Sequence, residues 1–333
     1  MEIIVNHSFG KMENSIINDK GKIVVSIQCL VYNHGPYLRQ CLDGFVSQET
    51  NFRFEAIVHD DASTDDSPSI IKEYAEKYPD IIKPIFEQEN QYSQSNHDGR
   101  LSRIIDPYCQ GEYIAYCEGD DYWINPSKLQ IQVDYLNAHP ECSMVFGNSL
   151  EHWENGEKPD RLFSQIEDRD YTPEEVSTGW SIPTSTVMIR RAVFDTELYP
   201  RFLKDPKIIT GDLPLWLTCA TLGSLHGLSA VFSVYRRLSS GFMLKMRAEQ
   251  RIAMGEHREE VFRMFGKRYK DSCLQMAMVH YRLALSYAKK ERNPRAFVKA
   301  LWKSFIVRVR YPDIAVNHIL LILKQRKARL ASN

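Results

Sequence analysis

The chain has 333 residues, 43% of them hydrophobic and 26% charged, with a net charge of −1 at neutral pH. This balance excludes the disordered, collagen-like and membrane-spanning classes. No run approaches the roughly 20 apolar residues that cross a bilayer, and the stretch from Met1 to Lys22 lacks a basic start followed by an apolar block, so the sequence predicts a cytoplasmic protein.

From Lys22 onward strand and helix signals alternate, which predicts an α/β fold with an open, mostly parallel sheet flanked by helices. "IVVSIQCL" (Ile23 to Leu30) is a near-continuous apolar run suited to a strand buried on both faces. A helix follows from Pro36, with Leu38, Cys41, Leu42, Phe45 and Val46 on its apolar face. "FEAIVHD" (Phe54 to Asp60) is the next strand. It ends in "DDASTDDS", after which Asp66 or Ser67 caps a helix that turns Ile70, Ile71 and Tyr74 inward. "IIKPIF" is a third strand, placed near an edge by Pro84. A helix over residues 100–109 leads into the strand "EYIAYCE" (Glu112 to Glu118). The helix of "INPSKLQIQVDYLNAHP" and the strand "CSMVFGN" come next. Residues 151–183 read as a polar, irregular insertion or lid. "STVMIRR", the helix "DLPLWLTCATLG" from Asp212, and "GLSAVFSVYRR" complete the alternation, and the pattern after Gly241 is helical. The organisation expected is a flexible extension over residues 1–21, an α/β domain over 22–241 and a basic helical region over 242–333. Seven cysteines, an odd set without a C-x-x-C pair, read as reduced buried thiols rather than a disulfide framework or zinc site.

In open α/β sheets ligands gather beyond the carboxyl ends of the strands, and three polar clusters fall there. They are "VYNHGPY" with Tyr32 and Asn33, "HDDASTDDS" with Asp60, Asp61, Ser63 and Asp65, and "EGDDYW" with Glu118, Asp120, Asp121 and Trp123. Adjacent carboxylates at a strand end are costly unless a cation or donors compensate them. Mg²⁺ or Mn²⁺, held by one or two carboxylates and completed by substrate phosphates, accounts for "GDD". For Asp60, Asp61 and Asp65 an Asx turn and a helix cap is the competing reading.

The ordered series "VSIQCLVYNHGPYLRQCLDGFVSQ", "EAIVHDDASTDDS", "GEYIAYCEGDDYWINPSKLQIQVDYL" and "GDLPLWL" resembles the family 2 glycosyltransferases of the nucleotide-diphospho-sugar transferase (GT-A) fold. The likeness covers about residues 22–240, and the "EGDDYW" wording is most similar to bacterial members that build surface polysaccharides. The resemblance implies Tyr32 at the nucleotide base, Asp61 on the uracil or its equivalent, Asp120 towards the ribose, and Asp121 on a metal bridging the diphosphate. It also implies Asp212 as catalytic base in an inverting displacement, although a helix N-cap fits that position equally. A UDP-sugar donor and a glycan or lipid-linked acceptor follow from the same likeness. Arg100, Arg103 and Arg236 are candidates for phosphate or sugar contacts, against a solvated helix face for the first two. Trp180 is a candidate for stacking on a sugar, against packing into the core. Where the family often has a histidine after its last core strand, this chain has Leu238.

A dehydrogenase is excluded because no G-x-G-x-x-G follows the first strand. A sugar nucleotidyltransferase lacks its Gly-rich basic loop here. The non-enzymatic alternative is a nucleotide-sugar or polysaccharide binding protein of the same fold. Residues 245–333 carry 21 Lys and Arg against 7 Asp and Glu, a net of +14. Their amphipathic stretches suit either an anionic membrane surface or packing on the domain or a partner, whereas no motif points to nucleic acid.

Overall fold

A computed structural model describes residues 21–94, 100–178, 182–238, 245–314 and 316. The expected N-terminal extension, apart from Gly21, lies outside these residues, as do Trp180 and the tail beyond Val316.

The strands are β1 (Ile23–Val31), β2 (Arg53–Asp60), β3 (Ile82–Phe86), β4 (Tyr113–Tyr116), β5 (Tyr122–Trp123), β6 (Cys142–Trp153), β7 (Arg161–Leu162), β8 (Arg169–Tyr171), β9 (Met188–Arg190) and β10 (Ser224–Arg237). They form one sheet in the order β3-β2-β1-β4-β9-β6-β10-β5, with β7 added to β6 and β8 to β10. The run β3-β2-β1-β4 is parallel, as is β6 with β10. Short β9 runs antiparallel between β4 and β6, with Ile189 opposite both Ile114 and Met144. The sheet is therefore mixed where the sequence led to a mostly parallel one, since strand direction leaves no mark on three residues. Pro84 does sit on the edge strand β3, where its missing N–H costs no ladder bond.

Alternate residues of each central strand enter opposite cores. Val25, Ile27, Cys29, Ala56, Val58 and Ala115 join the core beneath the helices Gly35–Val46, Ser67–Lys77 and Lys128–Ala138. Ile57, Ile114, Met144 and Phe146 join a second core with Phe202, Trp216 and Leu217. Both faces are covered, which is why these strands read as apolar runs. Residues 151–178, read as irregular, instead carry the end of β6, β7, β8 and the helix Pro173–Ser177. All seven cysteines are free and buried.

Lys128 is fully buried, its Nζ donating to Gln132 Oε1 at 2.8 Å and lying 4.1 Å from the centre of the Trp123 ring. Burial pushes its pKa from 10.5 down to about 7. Between those limits the unfolded chain holds the extra proton, so this group makes stability rise with pH, by about 1.4 kcal/mol per unit. Urea unfolding of the wild type and Lys128→Met from pH 7 to 9 is expected to show that slope in their difference.

Three C-terminal helices, Ala248–Phe265, Lys270–Lys290 and Pro294–Arg310, form a third core of small residues around Tyr281. Val261, Tyr269 and Cys273 join the second core, so this region packs on the sheet domain. Arg258 Nη1 donates to the Ser177 carbonyl at 3.0 Å and the Ser177 hydroxyl to that of Ser272 at 2.6 Å, fixing the same contact. A Cβ on Gly255 would lie 2.3 Å from Tyr281 Cε1. Gly255→Ala is expected to destabilise the protein by about 1–3 kcal/mol, read as a lowered calorimetric melting temperature.

Candidate active site

The loops that follow β1 and β2 are joined by hydrogen bonds. Asn33, at φ 57°, donates its N–H to Ser63 Oγ at 2.9 Å, and its Oδ1 accepts from the Thr64 N–H at 2.8 Å. The Gly35 N–H donates to Asp65 Oδ2 at 2.8 Å and the His34 N–H to Ser67 Oγ at 3.0 Å. Tyr32 is thereby held at the end of β1 with an exposed ring.

The first acidic cluster has the turn-building role that competed with ligand binding. Asp60 Oδ2 accepts from the Ser63 N–H at 3.1 Å, and Asp65 Oδ1 from the Ser67 N–H at 2.9 Å. Asp61 accepts from the Gln91 and Tyr92 N–H groups at 2.6 and 3.0 Å, so both its oxygens fasten residues 91 and 92 to the strand end. Asp60 Oδ1 is buried with no hydrogen-bond partner among the described residues.

The second cluster is a tight turn closed by the Asp121 N–H on the Glu118 carbonyl at 3.0 Å. A Cβ on Gly119 would lie 2.8 Å from His34 Nδ1, so the turn presses directly on the first loop. Burial holds His34 below the ordinary imidazole range, against the pull of Asp120, Asp65 and Asp60. Burial, then the charge of Asp120, drives Asp121 well above the carboxylate range, against the Arg236 N–H at 3.0 Å and the Ser185 hydroxyl. Desolvation by neighbouring groups, then the charges of Asp120, Asp212 and Asp121, likewise raises Glu118.

Asp212 opens the helix Asp212–Leu222 at its first residue; Gly211 occupies the N-cap, which corrects the capping alternative. Its carboxyl is pushed up to about 6 by burial, while the Thr184 hydroxyl favours its ionised form. Two consecutive hydroxyls, those of Thr184 and Ser185, thus favour the ionised forms of Asp212 and Asp121 respectively. Trp123 braces this turn by donating Nε1–H to the Ser185 carbonyl at 2.7 Å.

Of the remaining candidates, Arg236 is buried, and its guanidinium donates to Glu154 and Gln40 between the rings of Tyr37 and Tyr122. It anchors the end of β10, and its Nε is buried with no hydrogen-bond partner among the described residues. Arg103 is exposed on the short helix Arg100–Ile105, to which Arg100 contributes its backbone. Sequence reasoning missed Thr184, Ser185 and His34.

Among the described residues no three His, Cys, Asp or Glu side chains are grouped so as to hold a metal by themselves. The donors present are nevertheless hard oxygens in mutual repulsion, which a divalent cation would relieve. A site of one or two carboxylates completed by phosphate oxygens fits Mg²⁺ or Mn²⁺.

The mixed α/β sheet, with Asp120, Asp121 and Asp212 all near enough to Glu118 at its carboxyl end to act on its charge, has the architecture of the GT-A class. Residues 26–197 match the family described as glycosyl transferase family 2, and the chain belongs to it. It is 37% identical over 218 residues to an uncharacterised protein of Mycobacterium tuberculosis, a match covering 65% of this chain and 60% of that one. It is 25% identical over 291 residues to the GalNAc(5)-diNAcBac-PP-undecaprenol beta-1,3-glucosyltransferase of Campylobacter jejuni, covering 83% and 85%. The fold is that of S. aureus TarS 1-349 in complex with UDP-GlcNAc, at a TM-score of 0.58 and 14% identity over 87% of this chain and 92% of that one. The mannosyltransferase PcManGT of Pyrobaculum calidifontis, in complex with GDP-Man and Mn²⁺, matches at a TM-score of 0.52 and 17% identity over 85% and 87%.

Proposed function

We propose that the chain is a metal-dependent inverting glycosyltransferase of cell-surface glycan assembly. It moves a sugar from a nucleotide-diphosphate donor, with uridine favoured, to a hydroxyl of a glycan or lipid-linked acceptor. The observation that carries this reading is that Asp120, Asp121 and Asp212 all lie near enough to Glu118 to act on its charge, which puts a carboxyl suited to proton transfer in the same acidic cluster as one suited to a cation. TarS with UDP-GlcNAc supports the choice of uridine, and the undecaprenol-linked glycan in the Campylobacter relative's name supports the acceptor class.

In this reading Asp121 would hold Mn²⁺ or Mg²⁺, with Asp120 towards the ribose, and the ion would supply neutralisation of charge on the departing diphosphate. Tyr32 lies under the nucleotide base. The base's polar edge meets the end of β2, where Asp61 fixes residues 91 and 92 and Asp60 has an unpartnered oxygen. Asp212 takes the acceptor proton, with Thr184 keeping its ionised form oriented. The test is transfer from α-linked UDP-sugars to undecaprenyl-diphosphate-linked glycans, with the anomer of the new bond read by NMR. A β product is expected. An α product would contradict inversion, and nucleotide binding without transfer would favour the non-catalytic binding protein.

A further inference from the structure

We propose that the outer face of the helix Pro294–Arg310 docks on an anionic lipid surface. This helix has two apolar faces. Small residues, Ala296, Ala300 and Ser304, with Val307, are buried against the helix Lys270–Lys290, where Ser304 Oγ meets Met278 Sδ at 3.9 Å. The large residues, Val298, Leu301, Trp302, Phe305 and Val309, follow helical spacing on the other side and are 52–65% exposed. Trp302 and Phe305 stack with ring centres 5.8 Å apart, forming one apolar ridge. A stripe of this size left in water is costly, and single scattered apolar residues do not account for it.

Charge decides the occupant. The helix carries Arg295, Lys299, Lys303, Arg308 and Arg310 and no acidic residue. Lys299 and Lys303 reach Glu256 at 3.7 and 2.8 Å, while Arg295, Arg308 and Arg310 have no acidic partner among the described residues. A second copy would bring the same positive face against this one. The chain's own residues 317–333 add Lys324, Arg326, Lys327 and Arg329 without a single acid, so like charge opposes that cover too. Anionic headgroups complement the basic flanks, and Trp302 and Phe305 suit the boundary between headgroups and acyl chains. No helix among the described residues is long and apolar enough to cross a membrane, so this helix lies on the surface. The inference stands apart from the transfer reading, because vesicle binding is read without turnover.

The test is flotation of the full chain with vesicles of phosphatidylcholine alone or mixed with phosphatidylglycerol. Binding is expected only with phosphatidylglycerol and is lost at high salt. Trp302→Ser with Phe305→Ser is expected to weaken it about tenfold or more, and Arg308→Glu with Arg310→Glu to weaken it as well. Because the two aromatic side chains are already exposed, the melting temperature of their variant should match the wild type, which separates lost docking from lost folding. Vesicle binding that neither double variant reduces, or no binding to phosphatidylglycerol vesicles, would overturn the proposal. A wild-type dimer in sedimentation that Trp302→Ser with Phe305→Ser dissociates, without vesicle binding, would replace the lipid with a second copy and overturn it equally.

Discussion

Asp212→Asn is expected to lower the transfer rate by about 10²–10⁴-fold while leaving nucleotide affinity unchanged. The asparagine fills the same space at the first residue of its helix and can keep the Thr184 contact, but it cannot take a proton. Burial raises the Asp212 carboxyl to about 6, which brings the base close to working pH without neutralising it there. The sign of the pH effect follows: the base must be ionised, so the rate should climb with pH, bend near 6 and level off above it. Asp212→Asn should lose that limb of the profile along with the rate. A variant that kept wild-type turnover would leave Asp212 with only the structural task of beginning its helix.

Asp121→Asn should separate stability from function. The native carboxyl is buried beside Asp120 and raised well above the carboxylate range, so its ionised form weakens the fold near neutral pH. An amide retains an oxygen for the Arg236 N–H, bonded at 3.0 Å, and removes the repulsion. The substitution is expected to stabilise the protein by about 1 kcal/mol in thermal unfolding. It should also lower metal-dependent transfer by about 10²-fold or more through loss of the cation's anionic ligand. A site that is more stable when disarmed is one whose strain serves a ligand. Loss of both stability and activity would instead make Asp121 a structural residue whose charge the fold needs.

Much of this was legible in the chain because strand-end chemistry is local. "HDDASTDDS" and "EGDDYW" each place their acids within a few residues, and each follows an apolar run that could only be a buried strand. The resemblance to family 2 rested on the same segments, and the family match begins at Ser26, inside β1. What the sequence concealed depends on contacts between distant residues. The Arg236 N–H meets Asp121 across 115 positions, and the Thr184 hydroxyl acts on Asp212 from a segment 28 positions away. Arg236 reads as a candidate phosphate or sugar contact, and nothing in "YRR" announces Glu154 or Gln40 as its partners. The two faces of Pro294–Arg310 were half legible. Amphipathicity was evident, but which apolar face is covered depends on the small residues that fit against Lys270–Lys290.

The measurement that tests the central claim most directly is calorimetric titration of the protein with UDP, TDP and GDP, each with and without Mn²⁺, repeated on Asp121→Asn. Metal-dependent binding of one nucleotide, with UDP expected, and its loss in Asp121→Asn is the predicted result. Binding of none of the three, or binding that ignores both the metal and Asp121, would contradict the site as described.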